Sequence, residues 1–272
     1  MKEAMRLVGT EPDAEALRAL RIPSLRGKVP EAEWRLRVDL AACYRLVALY
    51  GMADMIYNHI SVRLPGPEEA FLINAFGLMY EEITASSLVK VDLEGRILAK
   101  PDLPYGINPA GFVLHSAVHG ARPDVGCVIH THTVAGMAVS SMKCGLLPLT
   151  QTAMRFARIA YHDYEGVVLN LDERERMVAS LGDCDAMILR NHGLLTVGAS
   201  IPEAFNTLYR LERCCQAQLL AMAATSELIQ PAKDVVDATY MQYQPGVRRR
   251  FGLMEWPALL RKLDRIDPSY RD

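Results

Sequence analysis

The chain has 272 residues, half of them hydrophobic and 23% charged, with 30 basic side chains against 32 acidic. That length and composition suit a soluble globular protein with a full core. A formal charge of −2 gives no electrostatic ground for binding nucleic acid or an acidic membrane surface, and no apolar run approaches a membrane span. The six cysteines are scattered with no Cys-x-x-Cys pair, and the N-terminus shows no signal segment, so a cytoplasmic chain with reduced thiols is expected.

Residues 1–30 are polar, with prolines at 12, 23 and 30, and read as an arm. Over 31–50 the residues Leu36, Leu40, Cys43, Val47 and Tyr50 recur at helical spacing, and Gly51 stops the helix. Short strands are expected at 60–64, 71–74 and 88–92, separated by Pro65-Gly66-Pro67, Gly77 and Glu94-Gly95. Pro109 opens a helix to about residue 119. The run 127–133 reads as a strand after a turn at Pro123, Asp124 and Gly126, with a helix over 134–142 behind it. Residues 145–165 are mixed.

Asp172 with Glu175 has the pattern of a capping box for a helix to about residue 181. Strands at 185–189 and 194–197 flank the turn Asn191-His192-Gly193. Ser200 with Glu203 is a second box pattern, with Pro202 in the first turn of a helix to about residue 224. From Pro231 the tail mixes arginines at 248, 249 and 250 with Phe251, Leu253, Trp256, Leu259 and Leu260. Strands and helices interleave without a repeat or a linker. This predicts one α/β domain in three layers over 31–230, an arm over 1–30, and a tail over 231–272 that packs on the domain or on a neighbouring protomer.

His130 and His132 lie two apart in the run Val128-Ile129-His130-Thr131-His132. Alternation along a strand turns both imidazoles to one side. His192, from a tight turn beside another strand, supplies a third nitrogen. Three protein ligands with an open position is how a catalytic metal is held. Zinc is the default ion, and Fe(II), Mn(II) and Co(II) also accept imidazole. A divalent ion there polarises a carbonyl or binds both oxygens of an enediolate, which suits aldol cleavage, decarboxylation or epimerisation.

His115 and His119, four apart on one helix face, point at the same centre or hydrogen-bond in the interior. The strand-end loops holding Asn58 and His59, and Asn74 and Gly77, offer amides to an anionic substrate or serve as plain turns. Arg155, with Arg158, suits a bidentate carboxylate contact or a solvated helix face. Glycine-rich nucleotide motifs and a Gly-x-Ser-x-Gly elbow are absent from the sequence.

Several stretches together resemble the class II aldolase/adducin family: His115-Ser116-Ala117, Ala121-Arg122-Pro123-Asp124, His130-Thr131-His132-Thr133, Met142-Lys143-Cys144-Gly145-Leu146-Leu147-Pro148, Tyr161-His162-Asp163-Tyr164 and Arg190-Asn191-His192-Gly193-Leu194. The local wording is closest to the adducin-like branch. The resemblance implies an αβα domain with a mostly antiparallel central sheet and a homotetramer around a fourfold axis, with active sites at protomer boundaries. It also implies a metal on His130, His132 and His192.

One departure is plain. The aldolases carry an acid/base glutamate in a Ser-Ser-Glu run, and the matching stretch here is Pro109-Ala110-Gly111. A carboxylate at 111 would be expected to face the ion. A proton-donating tyrosine of the aldolases falls near Gln151 or Thr152. His115, on the same helix face as Gly111, is then the first candidate for proton transfer, followed by His119, His162, and the tail residues Tyr240 and Tyr243 from a neighbouring protomer. The resulting expectation is a metal-dependent lyase for a small hydroxy- or keto-acid, by retro-aldol cleavage or decarboxylation through an enolate. A non-haem iron oxygenase and a non-catalytic module like the adducin head stand as alternatives.

Overall fold

The computed structural model describes residues 22–166 and 173–272. Residues 1–21 of the expected arm and Asp172 of the first capping box lie outside the described residues. The first helix, α1 (Glu31–Leu49), starts behind Pro30 with Glu31 and Glu33 in its first turn, where acidic groups suit the helix dipole. It ends where Gly51 takes a φ of 67°, as the sequence predicts.

Among the described residues eight strands form one sheet: β1 (His59–Arg63), β2 (Ala70–Ile73), β3 (Val89–Asp92), β4 (Ile97–Ala99), β5 (Cys127–Thr131), β6 (Ala160–His162), β7 (Ala186–Leu189) and β8 (Gly193–Gly198). Their order is β4-β3-β2-β1-β5-β8-β7-β6, and β6 with β7 is the one parallel pair in it. Helices α2 (Pro109–Ala121) and α5 (Glu173–Leu181) cover one face. On the other face lie α1 and α6 (Ile201–Ala224), with α8 (Trp256–Ile266) outside them. This is the three-layer α/β arrangement that the interleaved elements predict, with the mostly antiparallel sheet that the family resemblance implies. Shorter helices α3 (Val134–Ser140), α4 (Gln151–Met154) and α7 (Lys233–Gln242) connect and flank these layers.

Four local differences have physical causes. Strand β4 escapes the sequence pattern because its three residues are all exposed on a sheet edge, so no alternation marks it. Strand β6 hides in the mixed stretch because it spans three residues. The strand expected over 127–133 stops at Thr131, because Thr133 leaves the sheet to cap α3, its Oγ1 accepting from the Gly136 amide at 3.2 Å. Helix α6 begins at the predicted place without a true capping box: Ser200 Oγ donates to Glu203 Oε2 at 2.7 Å, and the side chain caps no backbone group.

Residues 22–30 are docked, with the Leu25 amide donating to Ser86 Oγ at 2.9 Å and Arg26 over the Trp34 ring. The tail is tied down as well. Trp256 Nε1 donates to Asp39 of α1 at 2.9 Å, and Trp256, Leu263 and Tyr270 are buried. Tyr270 donates to Asp264 at 2.8 Å. The six cysteines are all unpaired.

Candidate metal centre

The three histidines meet at one end of the sheet. His130 stands on β5, and His132 follows just past its end, in the connection to α3. His192 sits in the turn from β7 to β8. That turn is written in its neighbours: Asn191 adopts φ 54°, a left-handed conformation asparagine tolerates. A Cβ on Gly193 would lie 2.3 Å from the Thr131 carbonyl oxygen, so only glycine lets β8 approach β5 here. Ser140, at the end of α3, receives the His192 amide on its Oγ and the Asn191 amide on its carbonyl, each at 3.2 Å.

The three Nε2 atoms converge. His130 Nε2 is 2.8 Å from His132 Nε2, which is 3.0 Å from His192 Nε2. Two imidazole nitrogens held at about 2.0–2.1 Å by a tetrahedral ion stand about 3.3 Å apart, so small ring rotations suffice to accept one. Two of the far nitrogens are tied off. His130 Nδ1 lies 3.0 Å from the Leu194 carbonyl oxygen, a pure acceptor, so Nδ1 carries the proton and Nε2 keeps its lone pair. His132 Nδ1 lies 3.1 Å from Asp54 Oδ2, a carboxylate–imidazole pair of the kind that orients metal ligands. Burial, reinforced by the neighbouring imidazoles, pushes His130 well below the ordinary histidine value, and burial with His132 brings His192 down to about 4. Neutral imidazoles with free Nε2 lone pairs are the form that binds a cation, so this donor set fits a divalent metal.

Further histidines lie next to His130 under α2. His59 pairs with His130 across β1 and β5, and their rings stack with centroids 5.6 Å apart. His115 meets His59 edge-on at 5.6 Å. Ser61 Oγ lies 2.6 Å from His115 Nδ1 and 2.8 Å from His119 Nε2, so one hydroxyl joins the two rings. His115 is thus one ring removed from the triad, and burial with His119 beside it holds it well below the usual range. His119 is further still, packed on Phe71. The expectation about position 111 needs correction: a Cβ there would lie 2.4 Å from His59 Cδ2, so a side chain at 111 meets the His59 ring before any ion.

The remaining expected site residues are scattered. His162 is buried on β6, its Nδ1 3.0 Å from Ser180 Oγ, in a small crevice that also reaches Tyr164 and His192. Asn58 is fully buried with both amide atoms unpaired. Asn74 is a structural group: its Oδ1 accepts from the Tyr44 hydroxyl at 2.9 Å, and that hydroxyl receives the Asn74 amide. Gly77 has φ 129°, and a Cβ on it would run into the Tyr105 ring at 2.5 Å.

Arg155 and Tyr240 come together at the other end of the sheet from the triad. They line a cavity of about 450 Å³ whose wall includes Gly198, the partner of Cys127 at the start of β5. There Arg155 donates to Asn206 and Thr207, and Arg158 stacks on Tyr240. Neither reaches the triad of its own chain. Sequence reasoning gave no role to Asp54, Ser61 or Tyr164, and mentioned His59 only as part of a loop. Asp54 lies in an irregular segment without periodicity, and the role of His59 depends on sheet register, which no local pattern encodes.

Comparison with known proteins gives a consistent setting. Residues 38–219 match the family profile described as the Class II Aldolase and Adducin N-terminal domain. Among solved structures, an aldolase II superfamily protein from Pseudomonas syringae is 51% identical over 92% of this chain and 100% of its own, with a TM-score of 0.85. An L-fuculose 1-phosphate aldolase from Glaciozyma antarctica is 28% identical over 95% of this chain and 99% of its own, with a TM-score of 0.78. Alpha-adducin from Rattus norvegicus is 42% identical over 87% of this chain, which spans 34% of that longer protein.

Proposed function

The chain belongs to the class II aldolase and adducin family, and on that premise we propose that it is a divalent-metal-dependent lyase that cleaves a carbon–carbon bond beside the carbonyl of a small hydroxy- or keto-acid. The observation that carries this reading is the convergence of three Nε2 atoms, with the Nδ1 atoms of His130 and His132 tied to an acceptor. His130, His132 and His192 would hold the ion, zinc by default, with Fe(II), Mn(II) or Co(II) compatible with the same donors. When bound, that ion supplies a Lewis acid that takes up negative charge developing next to a carbonyl.

The protein's own groups do the rest. Asp54 and the Leu194 carbonyl fix the ligand tautomers and ring directions. Asn58, buried with an unpaired amide, offers a donor and an acceptor to the substrate. Around the centre, the segments carrying Met55, Tyr57, Val134 and Met137 leave apolar side chains exposed, a surface that a neighbouring subunit would cover. The homotetramer that the family resemblance implies would place such a subunit there. Tyr240 would then have to act from another protomer, because in its own chain it lines the opposite end of the sheet.

The testing experiment is elemental analysis of protein purified without added metal, followed by incubation of the loaded protein with 2-hydroxy- and 2-keto-acids, reading carbonyl product and carbon dioxide. Stoichiometric metal lost in His130→Ala, with turnover of at least one acid, is the expected result. The 42% identity to alpha-adducin favours a second reading, a metal-bearing module without turnover. Full metal occupancy with no turnover across the panel would support that reading. An oxygen electrode with Fe(II)-loaded protein separates the iron oxygenase alternative, which predicts oxygen uptake.

A further inference from the structure

The space beside Gly111 belongs to His59. A Cβ on residue 111 would lie 2.4 Å from His59 Cδ2, 2.6 Å from Cγ and 2.7 Å from Nε2, so the ring packs directly on the bare backbone of α2. Two rings contact it: His130 stacks at 5.6 Å with 22° between planes, and His115 stands at 5.6 Å and 89°. His59 is only 4% exposed, yet neither ring nitrogen has a hydrogen-bond partner.

Packing alone does not explain an imidazole here. A phenylalanine ring would fill a similar volume with no polar atom to desolvate, and buried unpaired nitrogens are a cost that native proteins rarely carry without use. Nor is His59 a fourth member of the metal-ligand cluster, which comprises His130, His132 and His192 among the described residues. Ser61 already engages His115 and His119, so His59 is the one of these three α2-side histidines with both nitrogens uncommitted. Cross-strand pairing with His130 anchors it beside the first metal ligand.

We propose that a ring nitrogen of His59 hydrogen-bonds an oxygen of the small hydroxy- or keto-acid held at the three-histidine centre, and that glycine at 111 is what makes room for this ring. The inference rests on the reading of the triad as a metal centre and deepens it by naming the substrate-contacting group. A hydrogen bond from imidazole to the carboxylate or the 2-oxygen of the acid would orient it on the ion and select acids that present an oxygen to that side.

The test uses the whole protein loaded with Co(II), whose visible spectrum reports both metal and ligand binding, titrated with glycolate as a 2-hydroxy acid. Wild type should take up Co(II) and show a saturable spectral change with glycolate. His59→Phe should bind Co(II) within about threefold of wild type but glycolate at least 10-fold more weakly. His59→Gln, which keeps a hydrogen-bonding amide, should recover most of that affinity, and His59→Leu, which like phenylalanine has no hydrogen-bonding atom, stands in if the phenylalanine variant fails to fold. Gly111→Ala keeps both nitrogens but displaces the ring, and should weaken glycolate in the same direction.

Glycolate affinity in His59→Phe within twofold of wild type overturns the proposal and leaves the metal centre standing. Loss of Co(II) itself in His59→Phe also overturns it, by making His59 a ligand. A wild-type Co(II) spectrum that ignores glycolate overturns the assignment of the acid. Wild-type protein that takes up no Co(II) removes the metal reading and this proposal together.

Discussion

Asp54 offers the sharpest probe of the centre because it touches a candidate ligand without being one. Its Oδ2 stands 3.1 Å from His132 Nδ1, and its side chain is 41% exposed. In the metal-free protein a carboxylate–imidazole contact this exposed contributes at most about 1 kcal/mol, so Asp54→Asn should fold with nearly unchanged stability. Metal binding is another matter. Groups that orient a metal-bound imidazole typically influence affinity by about 10–100-fold, equivalent to about 1.4–2.7 kcal/mol. Partial exposure argues for the lower half of that range, so a loss of about 10–30-fold is expected.

Two assays read the effect independently. Competition with a chromophoric chelator gives the zinc affinity directly. Thermal melts with and without excess zinc give it by linkage, because stabilisation by a ligand grows as the logarithm of concentration over dissociation constant. A 30-fold weaker site gives up about 2 kcal/mol of that stabilisation. At about 2–4 °C per kcal/mol for a chain of this size, the zinc-induced rise in Tm should shrink by roughly 4–8 °C. Zinc affinity in Asp54→Asn within twofold of wild type would refute the reasoning, since it would make the carboxylate a bystander on the rim.

Three further outcomes are expected. His192→Ala should retain less than about a tenth of the bound metal while its far-ultraviolet circular dichroism stays native, because two imidazoles hold a divalent ion far less well than three; unchanged metal content on elemental analysis would rule out the triad. Burial and the nearby Arg63 guanidinium lower His119 to about 3, so the unfolded chain takes up this proton first as the solution is acidified. The stability linked to His119 is then fully present above about pH 6.5 and lost as pH falls from there toward 3, by up to about 1.4 kcal/mol per unit. His119→Gln should show a shallower fall in urea midpoint between pH 6 and 4, and parallel slopes for variant and wild type would contradict this. Gly252 has φ 99°, and a Cβ on it would lie 2.1 Å from the Pro202 carbonyl oxygen, so Gly252→Ala should loosen the tail from the start of α6 and lower stability by about 2 kcal/mol in chemical denaturation; a melt indistinguishable from wild type would show that this contact is dispensable.

What the sequence determined by itself is local and periodic. Helical spacing and Gly51 delimited α1, Pro109 opened α2, and the branched run before His130 marked β5. The candidate metal ligands were legible for the same reason. His130 and His132 have a fixed spacing on an extended segment, and Arg190-Asn191-His192-Gly193 encodes its own turn through a left-handed asparagine and a glycine that admits the Thr131 carbonyl. Such signals survive because each depends on the residues beside it in the chain.

Tertiary structure decided whatever depends on register and on which end of the sheet a loop reaches. Pairing His59 with His130 is a property of β1 against β5, and a one-residue slip would turn that imidazole to the other face. Asp54 meets His132 across 78 positions of sequence, from a segment with no pattern to announce it. The family resemblance marked Gly111 as the empty place of a carboxylate, and in three dimensions the ring of His59 packs against it. Arg155 and Tyr240 carry chemistry suited to a substrate, yet α4 and α7 bring them to the far ends of β5 and β8, where strand direction separates them from the triad. Spacing along a chain fixes which side a residue faces; only the packed sheet fixes what faces it.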